Sequence, residues 1–241
     1  MFIMIDGIDG SGKSTIMRTW QDLLEARQYQ VFSLKDFWKE HGRHPEPHEI
    51  PADTFAILSA EPTYVWTGAA IREEMVQRNG RTYTGAAMAD AFALDRLVLY
   101  TRVLVPAMAR GMHVIQDRGV STSLCYQSCY NNHELSMAEI AAREGNAFAL
   151  THRPDVLMLM DVTPERCMER LAARAAQKDD NAIFEYLAFQ KELDACYRST
   201  EFTALFESRG TVINRFPADQ ELAILEPQLR AMLSQYLTVD L

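Results

Sequence analysis

Short, mostly apolar runs alternate with segments of helical periodicity along the chain. Runs of this length are typical of buried strands, and they occur at residues 2–5, 29–34, 113–116, 155–161 and 211–213. Apolar positions at helical spacing predict helices over residues 14–27, 71–77, 86–109, 136–148, 164–174, 182–197 and 218–237. Strands that are apolar on both faces and alternate with helices indicate a parallel sheet that is covered by helices on both sides.

Residues 36–60 lack such a pattern. The segment holds His41, His44 and His48 among prolines, and it ends in the apolar run 54–58, which fits either a strand or a helix. Histidines at this spacing are compatible with a metal site, but a solvated loop rich in turn residues is the favoured interpretation. We therefore expect an unusual insertion at this place, which begins as a loop.

The composition is that of an ordinary globular protein. The chain has 241 residues, of which 48% are hydrophobic and 24% are charged, and this excludes a disordered or fibrous protein. No apolar run approaches the roughly 20 residues that are needed to span a bilayer. Because glycines and prolines are not pooled into a linker, a single domain over residues 1–241 is predicted.

Charge and cysteine content narrow the possible partners and the compartment. The formal net charge of −9 argues against general binding to nucleic acid or to anionic membranes, since both need a basic surface. Residues 1–6 lack the basic leader of a secretory signal. The four cysteines include no C-x-x-C pair, which favours reduced thiols over zinc or disulfides. These features predict a cytoplasmic protein.

A glycine-rich motif follows the first predicted strand. Residues 7–14 match G-x-x-x-x-G-K-[S/T] in full and precede an amphipathic helix, which is the context that this phosphate-binding motif requires. Backbone N–H groups of such a loop and the helix N-terminus form an anion site. Lys13 is expected to reach the outer phosphates of ATP, and the Ser14 hydroxyl to bind Mg²⁺. The predicted ATP-binding residues are Gly7, Gly10, Ser11, Gly12, Lys13, Ser14 and Thr15.

The motif alone leaves the reaction open between a motor-type ATPase, a GTPase switch and a kinase for a small acceptor. A GTPase normally carries an N-K-x-D motif, which this sequence lacks. A kinase needs a basic clamp for an anionic acceptor and a lid with arginines, because charge neutralisation and positioning catalyse phosphoryl transfer. In parallel sheets ligands bind at the carboxyl ends of the strands, and Asp117 and Arg118 follow such a predicted strand.

The phosphate loop resembles that of one kinase family. Residues 5–15, I-D-G-I-D-G-S-G-K-S-T, resemble the E-G-x-D-G-x-G-K-S-T motif of thymidylate kinases. The generic motif does not require an acid at Asp9, whereas in that family the aspartate approaches the 3′-hydroxyl of the acceptor sugar. The resemblance therefore implies that Asp9 binds the substrate.

Two further segments resemble the same family. Residues 61–72 are similar to its R-E-P-G-G-T…G…I-R stretch, and residues 92–96 to its F-A-x-D-R helix. The resemblance implies that Phe92 stacks on the pyrimidine and that Arg96 reaches the base edge or the phosphate. Both roles suit an aromatic face and a fork of guanidinium donors. The acceptor-binding residues implied by these segments are Glu61, Arg72, Phe92 and Arg96.

Residues 117–127 resemble the family's D-R-x-x-x-S-x-x-A-Y-Q segment. The resemblance implies that Asp117 holds Mg²⁺ and that Arg118 grips the acceptor phosphate. It also implies that Ser123 and Tyr126 face the base and the sugar.

The approach to the lid also resembles the family. Residues 153–165 are similar to its P-D-x-x-x-x-L-D-V-x-P-E segment, and Arg170 and Arg174 follow at helical spacing. The lid sequence 175–181 lacks the usual Asp-Arg pair, and the phosphate loop carries no arginine. The transition-state charge must therefore fall to Arg170, Arg174 or Lys178. We predict Arg174 for that role and Arg170 as an ATP-binding residue.

Two other departures concern the acceptor. Ala60 stands where the family usually has the arginine of R-E-P, so one contact to the acceptor phosphate is missing or supplied from elsewhere. Gly119 stands where many members have tyrosine, and we expect the space to admit a larger hydroxyl or base. Selectivity for a deoxyribose acceptor is therefore the property that these departures bring into question.

Together these features predict an α/β protein with the three-layer P-loop NTPase fold, in which a parallel sheet of about five strands is flanked by helices on both faces. The single kinase domain carries the insertion at 36–60 and a lid at 170–184. The predicted reaction transfers the γ-phosphate of ATP to dTMP. The predicted catalytic residues are Lys13, Asp9, Arg118 and Arg174, and the predicted Mg²⁺ ligands are Ser14 and Asp117. The resemblance also implies a homodimer packed through long helices.

Two alternatives stay open. A kinase for another nucleotide or for a nucleoside would account for Ala60 and Gly119. A nucleotide-binding protein without turnover would account for the unusual lid, and it predicts ATP binding without acceptor-dependent ADP release. A DNA-acting ATPase is disfavoured because the acidic chain has no basic tract.

Overall fold

The computed structural model of the protein describes residues 1–175, 184 and 186–241, with the backbone alone at 174 and 175. Its centre is a six-stranded sheet in the order β2-β3-β4-β1-β5-β6, and every neighbouring pair is parallel. The strands are β1 Phe2–Asp6, β2 Val31–Ser33, β3 Ala56–Ala60, β4 His113–Asp117, β5 Val156–Asp161 and β6 Val212–Pro217. The predicted parallel sheet is confirmed, with one strand more than the expected five.

Helices connect and cover these strands. They are α1 Lys13–Ala26, α2 Leu34–His41, α3 Trp66–Ala70, α4 Gly85–Leu99, α5 Val105–Ala109, α6 Val120–Cys129, α7 Met137–Ala141, α8 Glu144–Thr151, α9 Pro164–Ala175, α10 Leu187–Arg198, α11 Thr200–Glu207 and α12 Leu222–Leu237. The central strand β1 is buried along its whole length, as expected for a strand that is covered on both faces. In the described part of the chain, no helix combines the length and the apolar character that crossing a membrane requires.

The long apolar helix predicted at residues 86–109 is confirmed. It consists of α4, a π-helical turn at Tyr100–Leu104, and α5. Pro106 occupies an early position of α5, and a proline removes one backbone donor from the helical ladder. The irregular turn precedes this proline, so the helix continues with a local change in its hydrogen bonding.

The single helix predicted at residues 136–148 is wrong, because two helices occupy this region. Ser136 caps α7 and forms a capping box with Glu139, a signal that marks a helix start. After α7 ends, the extended backbone of Arg143 begins α8. Apolar periodicity alone does not reveal such a break, since both helices bury residues against the same core.

The segment 36–60 is more regular than expected. The helix α2 starts at Leu34, where the Ser33 hydroxyl accepts a hydrogen bond from the Asp36 amide at 3.3 Å. The loop predicted to begin at residue 36 is therefore wrong. The ambiguous run at its end is the strand β3, inside the sheet.

Of the three histidines in this segment, His44 serves packing, whereas His41 and His48 are exposed. The His44 side chain is buried and its Nδ1 accepts a hydrogen bond from Trp38 Nε1 at 3.1 Å. Burial lowers the pKa of His44 to about 4, so the ring is neutral at physiological pH. Within residues 1–175, 184 and 186–241, no group of three or more histidines, cysteines or acids is arranged to hold a metal ion. The burial of His44 differs from the solvated loop that the sequence predicts for this segment.

Candidate functional site

The phosphate loop lies between β1 and α1, at the carboxyl edge of the sheet. It follows Asp6 and ends where Lys13 begins α1. Gly10 has φ 79°, and a Cβ at this position would lie 2.6 Å from the Cys167 carbonyl oxygen. Only glycine therefore fits this turn, which lets the loop curl in front of the N-terminus of α1.

A cavity of about 450 Å³ opens in front of this loop. Residues 9–16 form one wall, and Asp117 and Arg118 form another at the end of β4. Arg170 of α9 also lines the cavity, and its Nη2 donates to the Ala218 carbonyl at 3.1 Å. Six of the seven residues predicted from the motif line the cavity, and Gly7 lies just behind it.

Lys13 is held over the loop. Its Nζ donates to the carbonyl oxygens of Gly7 at 3.0 Å and Ile8 at 2.8 Å. Burial lowers the pKa of Lys13 to about 8, and the positive charge of Arg118 acts in the same direction. The amine is therefore still mostly charged near neutral pH, and it lies where phosphate oxygens would neutralise it.

Asp9 and Arg118 form an ion pair at the mouth of the loop. Burial disfavours the charged carboxylate, but the charges of Arg118 and Lys13 prevail and hold the pKa of Asp9 below its ordinary value. Arg118 has φ 65°, a left-handed conformation that is uncommon for arginine and typical of functional sites. Its Nη1 is buried, has no hydrogen-bond partner among the described residues and lies 4.0 Å from Asp6 Oδ1.

Asp6 anchors the start of the loop. The carboxylate is completely buried and accepts hydrogen bonds from the Gly7 amide at 2.7 Å and from Tyr197 Oη at 3.0 Å. It also accepts from Ser121 and from Thr122. These bonds tie the loop to α6 and α10, so the phosphate site and the two helices are fixed together.

The residues predicted to bind Mg²⁺ lie side by side. Ser14 Oγ donates to Asp117 Oδ2 at 3.2 Å. The other oxygen, Asp117 Oδ1, is buried and has no hydrogen-bond partner in the described part of the chain. A buried carboxylate oxygen without a partner, next to a hydroxyl and a phosphate loop, matches the oxygen ligands that Mg²⁺ prefers. These residues therefore fit the ion.

A second, smaller pocket of about 30 Å³ lies beside the first. It is lined by Met88, Phe92, Thr122, Ser123, Tyr126, Gln127, Tyr130 and Phe184. Two buried polar atoms there, Tyr126 Oη and Gln127 Oε1, have no hydrogen-bond partner within residues 1–175, 184 and 186–241. The pocket has flat aromatic walls, which suit the face of a heteroaromatic ring, and the polar atoms beside it are buried.

Arg118 connects the two pockets. Its guanidinium lines the larger cavity and lies 5.3 Å from the centroid of the Tyr126 ring, which lines the smaller one. The structure thus brings Asp9, Lys13, Ser14, Asp117 and Arg118 together with Phe92, Ser123 and Tyr126.

Glu61 and Arg96 lie behind the pockets and line neither of them. They form a buried ion pair at 2.6 Å, with side chains that are 3% and 1% exposed. Arg96 also donates to Ser123 Oγ at 2.9 Å, and Gln116 donates to Glu61 at 2.9 Å. Burial raises the pKa of Glu61 to about 7, against the opposing charge of Arg96. In this structure the pair supports Ser123 from behind.

Arg72 is held against the turn after β3. Its Nε donates to the carbonyl oxygens of Pro62 at 2.9 Å and Thr63 at 3.0 Å, and its guanidinium lies 3.8 Å from the Tyr64 ring centroid. Lys35 Nζ lies 5.3 Å from the same ring. Both cations therefore contact the segment that follows Ala60, where the usual arginine is missing.

The extra space expected at Gly119 is occupied. The residue has an extended φ of 172°, which any residue can adopt. A Cβ there would lie 2.7 Å from Met4 Sδ and 2.9 Å from Gln116 Nε2. The glycine therefore accommodates the buried Met4 side chain, and the expectation that it admits a larger hydroxyl or base is wrong.

This packing predicts the effect of Gly119→Ala. The added methyl group should lower the free energy of unfolding by about 1–3 kcal/mol, the usual cost of overpacking. Urea denaturation measures the change. In the Met4→Val background the same substitution should cost less, because the shorter side chain leaves room. An equal loss of free energy of unfolding in both backgrounds would contradict the packing of Met4 against Gly119.

Several functional candidates were not predicted from the sequence. Gln220, Leu222 and Leu225 follow β6 and line the far end of the larger cavity. The rule that ligands bind beyond the carboxyl ends of parallel strands would have indicated this place. Gln190 of α10 contacts Asp9, and no sequence motif points to it. The side chains of Arg174 and Lys178 lie outside the described residues.

Comparison with known proteins gives one consistent result. The family model for thymidylate kinase matches residues 50–214. A thymidylate kinase of Shouchella clausii (strain KSM-K16) is 27% identical over 198 residues, covering 82% of this chain and 80% of that protein. One of Oleidesulfovibrio alaskensis (strain ATCC BAA-1058 / DSM 17464 / G20) is 26% identical over 244 residues, covering 99% of this chain and all of that protein. A probable thymidylate kinase of Thermococcus kodakarensis (strain ATCC BAA-918 / JCM 12380 / KOD1) is 28% identical over 188 residues, covering 77% and 78%.

Proposed function

The chain belongs to the thymidylate kinase family, and on that basis we propose that it transfers the γ-phosphate of ATP to dTMP, giving ADP and dTDP. The observation that carries the proposal is the pair of adjacent pockets joined at Arg118. One has a phosphate loop, and the other has aromatic walls. A phosphoryl donor and a nucleotide acceptor need this arrangement, because the reacting oxygen must approach the γ-phosphorus in line.

The larger cavity would take ATP. The phosphate loop and Lys13 would bind the phosphates, and Arg170 and Leu225, which line the same cavity, would contact the base. Arg170 is oriented for this task by hydrogen bonds to the Ala218 carbonyl and to Asp219 at 3.2 Å. The apolar side chains before and within α12 suit one face of a purine ring.

The acceptor base would bind against the aromatic walls of the smaller pocket, which must widen from about 30 Å³ to admit a pyrimidine. Phe92 offers a ring face, and Ser123, Tyr126 and Gln127 offer polar groups. Arg118 would bind the acceptor phosphate from the wall of the larger cavity, and Asp9 would accept a hydrogen bond from the sugar hydroxyl. Arg72 would substitute for the arginine that is missing at Ala60.

The reaction needs no covalent intermediate. An oxygen of the acceptor phosphate attacks the γ-phosphorus, and the bond to the oxygen that bridges the β- and γ-phosphates breaks as ADP leaves. The attacking oxygen is already an anion, so no strong general base is needed. Lys13 and Arg118, which both line the larger cavity, would neutralise the charge that develops there.

Ser14 and Asp117 would hold Mg²⁺, since their oxygens lie side by side at the phosphate loop. When bound, the ion neutralises charge on the donor phosphates. Asp117 also draws the Ser14 hydroxyl toward the end of β4, which keeps both oxygens at the same edge of the sheet.

We also propose a lid at residues 170–184 that closes over both nucleotides and excludes water, with Arg174 supplying charge to the transition state. The assembly proposed is a homodimer packed through the helix 85–109, where Leu94 is 52% exposed. The cytoplasm is the proposed compartment, in keeping with the free thiols.

Acceptor profiling tests this function. ADP release from ATP–Mg²⁺ is measured with dTMP, dUMP, dCMP, dAMP, dGMP, UMP, CMP and thymidine as acceptors. A dominant response to dTMP is expected. A dominant response to another acceptor would keep the mechanism and assign Ala60 to specificity. ATP binding without any acceptor-dependent release would contradict the proposal and favour a nucleotide-binding protein.

Donor binding should depend on the charge of Lys13. Because its pKa is about 8 in the free protein, Lys13 loses its proton as the pH rises through that value, and the site loses one positive charge. We expect kcat/KM for ATP to fall above pH 8 with a single ionisation. In Lys13→Arg, whose guanidinium stays charged, this ionisation should be absent from the pH profile. An unchanged profile in the variant would contradict the assignment.

A further inference from the structure

Gln190 is a polar side chain buried in the middle of the site. It lies near the start of α10 and has no exposed surface. Its Oε1 accepts a hydrogen bond from the Asp9 amide at 3.0 Å, and its Nε2 donates to Asp9 Oδ2 at 3.3 Å. One amide group therefore holds both the backbone and the carboxylate of Asp9.

This double contact requires an amide. Glutamine offers an acceptor and a donor on one planar group, whereas glutamate offers acceptors only and a hydrophobic residue offers neither. Asp9 is meanwhile drawn from the other side by Arg118. Gln190 and Arg118 together fix the direction of the Asp9 carboxylate, since each bonds a different oxygen.

Gln190 also reaches the acceptor pocket. Its Nε2 donates to the Phe184 carbonyl at 3.0 Å. The Phe184 ring lines that pocket and meets the Tyr126 ring edge-on, with centroids 5.5 Å apart. The Gln190 amide thus joins the phosphate loop to the aromatic wall of the pocket through two hydrogen bonds from a single nitrogen.

We propose that Gln190 is a positioning residue that holds the Asp9 carboxylate toward the acceptor sugar and couples it to the aromatic wall at Phe184. The inference rests on the proposed function, because it assigns Asp9 to the sugar hydroxyl of a nucleotide acceptor. It goes beyond that function in giving α10 a part in acceptor recognition. Gln190 itself touches no reacting atom.

The test uses Gln190→Leu, which keeps the side-chain volume and removes both polar contacts. We expect kcat/KM for dTMP to fall about ten-fold, as for the loss of hydrogen bonds to a charged group. With 3′-deoxythymidine monophosphate the loss should be at most about two-fold, because that acceptor lacks the hydroxyl that Asp9 binds. The exposed Gln228 of α12 provides the matched control Gln228→Leu, for which no change is expected.

A double-mutant cycle separates positioning from stability. If Gln190 acts through Asp9, then Asp9→Asn combined with Gln190→Leu should be no worse than Asp9→Asn alone. Additive losses, or an equal loss with both acceptors, would overturn the proposal. If Gln190→Leu does not fold, Gln190→Met is used in its place. If neither variant folds, Gln190 serves stability and the proposal is overturned. Absence of dTMP-dependent ADP release in the unmodified protein would instead refute the proposed function.

Discussion

Replacing Lys13 with alanine should lower kcat by about 10²–10³-fold, the usual effect of removing one preorganised group that stabilises the transition state. Lys13 is the buried cation above the phosphate loop, and its Nζ already lies within hydrogen-bond distance of the Gly7 and Ile8 carbonyls. No other described lysine lines the larger cavity. Water that enters the space left by the side chain would not carry the positive charge that the γ-phosphate needs.

Steady-state kinetics with saturating ATP–Mg²⁺ and acceptor measure this effect. The control is Lys39→Ala, an exposed position on α2, which should leave kcat unchanged. Thermal unfolding of both variants shows whether the fold is intact. If Lys13→Ala kept most of its turnover while Lys39→Ala behaved like the parent protein, the phosphate loop would not be the site of phosphoryl transfer.

Arg118→Ala should chiefly impair the use of the acceptor. We expect kcat/KM for dTMP to fall about 10²–10³-fold, since the variant loses a charged fork of donors next to the transfer point. The Kd of ATP, measured by calorimetry, should change by less than about three-fold, because Lys13 and the backbone of the phosphate loop hold the donor. The contrast between these two constants assigns Arg118 to the acceptor side.

The second variant, Arg118→Lys, separates the effect of the charge from that of the guanidinium geometry. A lysine keeps the charge but cannot offer two donors in a fixed plane, so it should recover only part of the acceptor kcat/KM. Removal of Arg118 also leaves Asp9 without its ion pair, and a thermal unfolding measurement shows whether this affects stability. A loss confined to ATP binding would contradict the placement of Arg118 between the two pockets.

The sequence predicts the layers of the fold well because each buried strand is a short apolar run. It predicts β3 poorly, since the run 54–58 fits strand and helix equally, and only pairing with β2 and β4 decides between them. The sequence also does not reveal α2. This helix has only two buried positions, Leu34 and Trp38, and the residues between and after them are mostly charged, so no apolar periodicity is evident.

For the larger cavity, the motif residues that the structure brings together lie at or near strand ends, such as Asp117 and Arg118 at the end of β4 and Lys13 at the start of α1. Their roles depend on backbone position, and a strand followed by a short motif specifies that position. Gly119 shows the opposite case. A glycine in place of an aromatic residue suggested free space, but the Met4 side chain from the neighbouring strand fills it. Contacts of this kind follow from packing, which no spacing rule reveals.

Gln190 and Asp6 show a second limit of prediction from the sequence. Gln190 is about 180 positions from Asp9, and only the packing of α10 beside the phosphate loop makes it a partner of that residue. Asp6 belongs to a motif, but its hydrogen bonds to Tyr197 and α6 depend on the tertiary structure. Residues that touch a ligand can be predicted from motifs, whereas residues that hold those side chains in place cannot.

The most direct test of the account is to measure both products of one reaction. The protein is incubated with ATP–Mg²⁺ and dTMP, and ADP and dTDP are quantified by chromatography over time. The account predicts one dTDP for each ADP, with neither formed by Lys13→Ala at a comparable rate. ADP without dTDP would show hydrolysis, and ATP binding with neither product would show a binding protein, and either result would contradict phosphoryl transfer to dTMP.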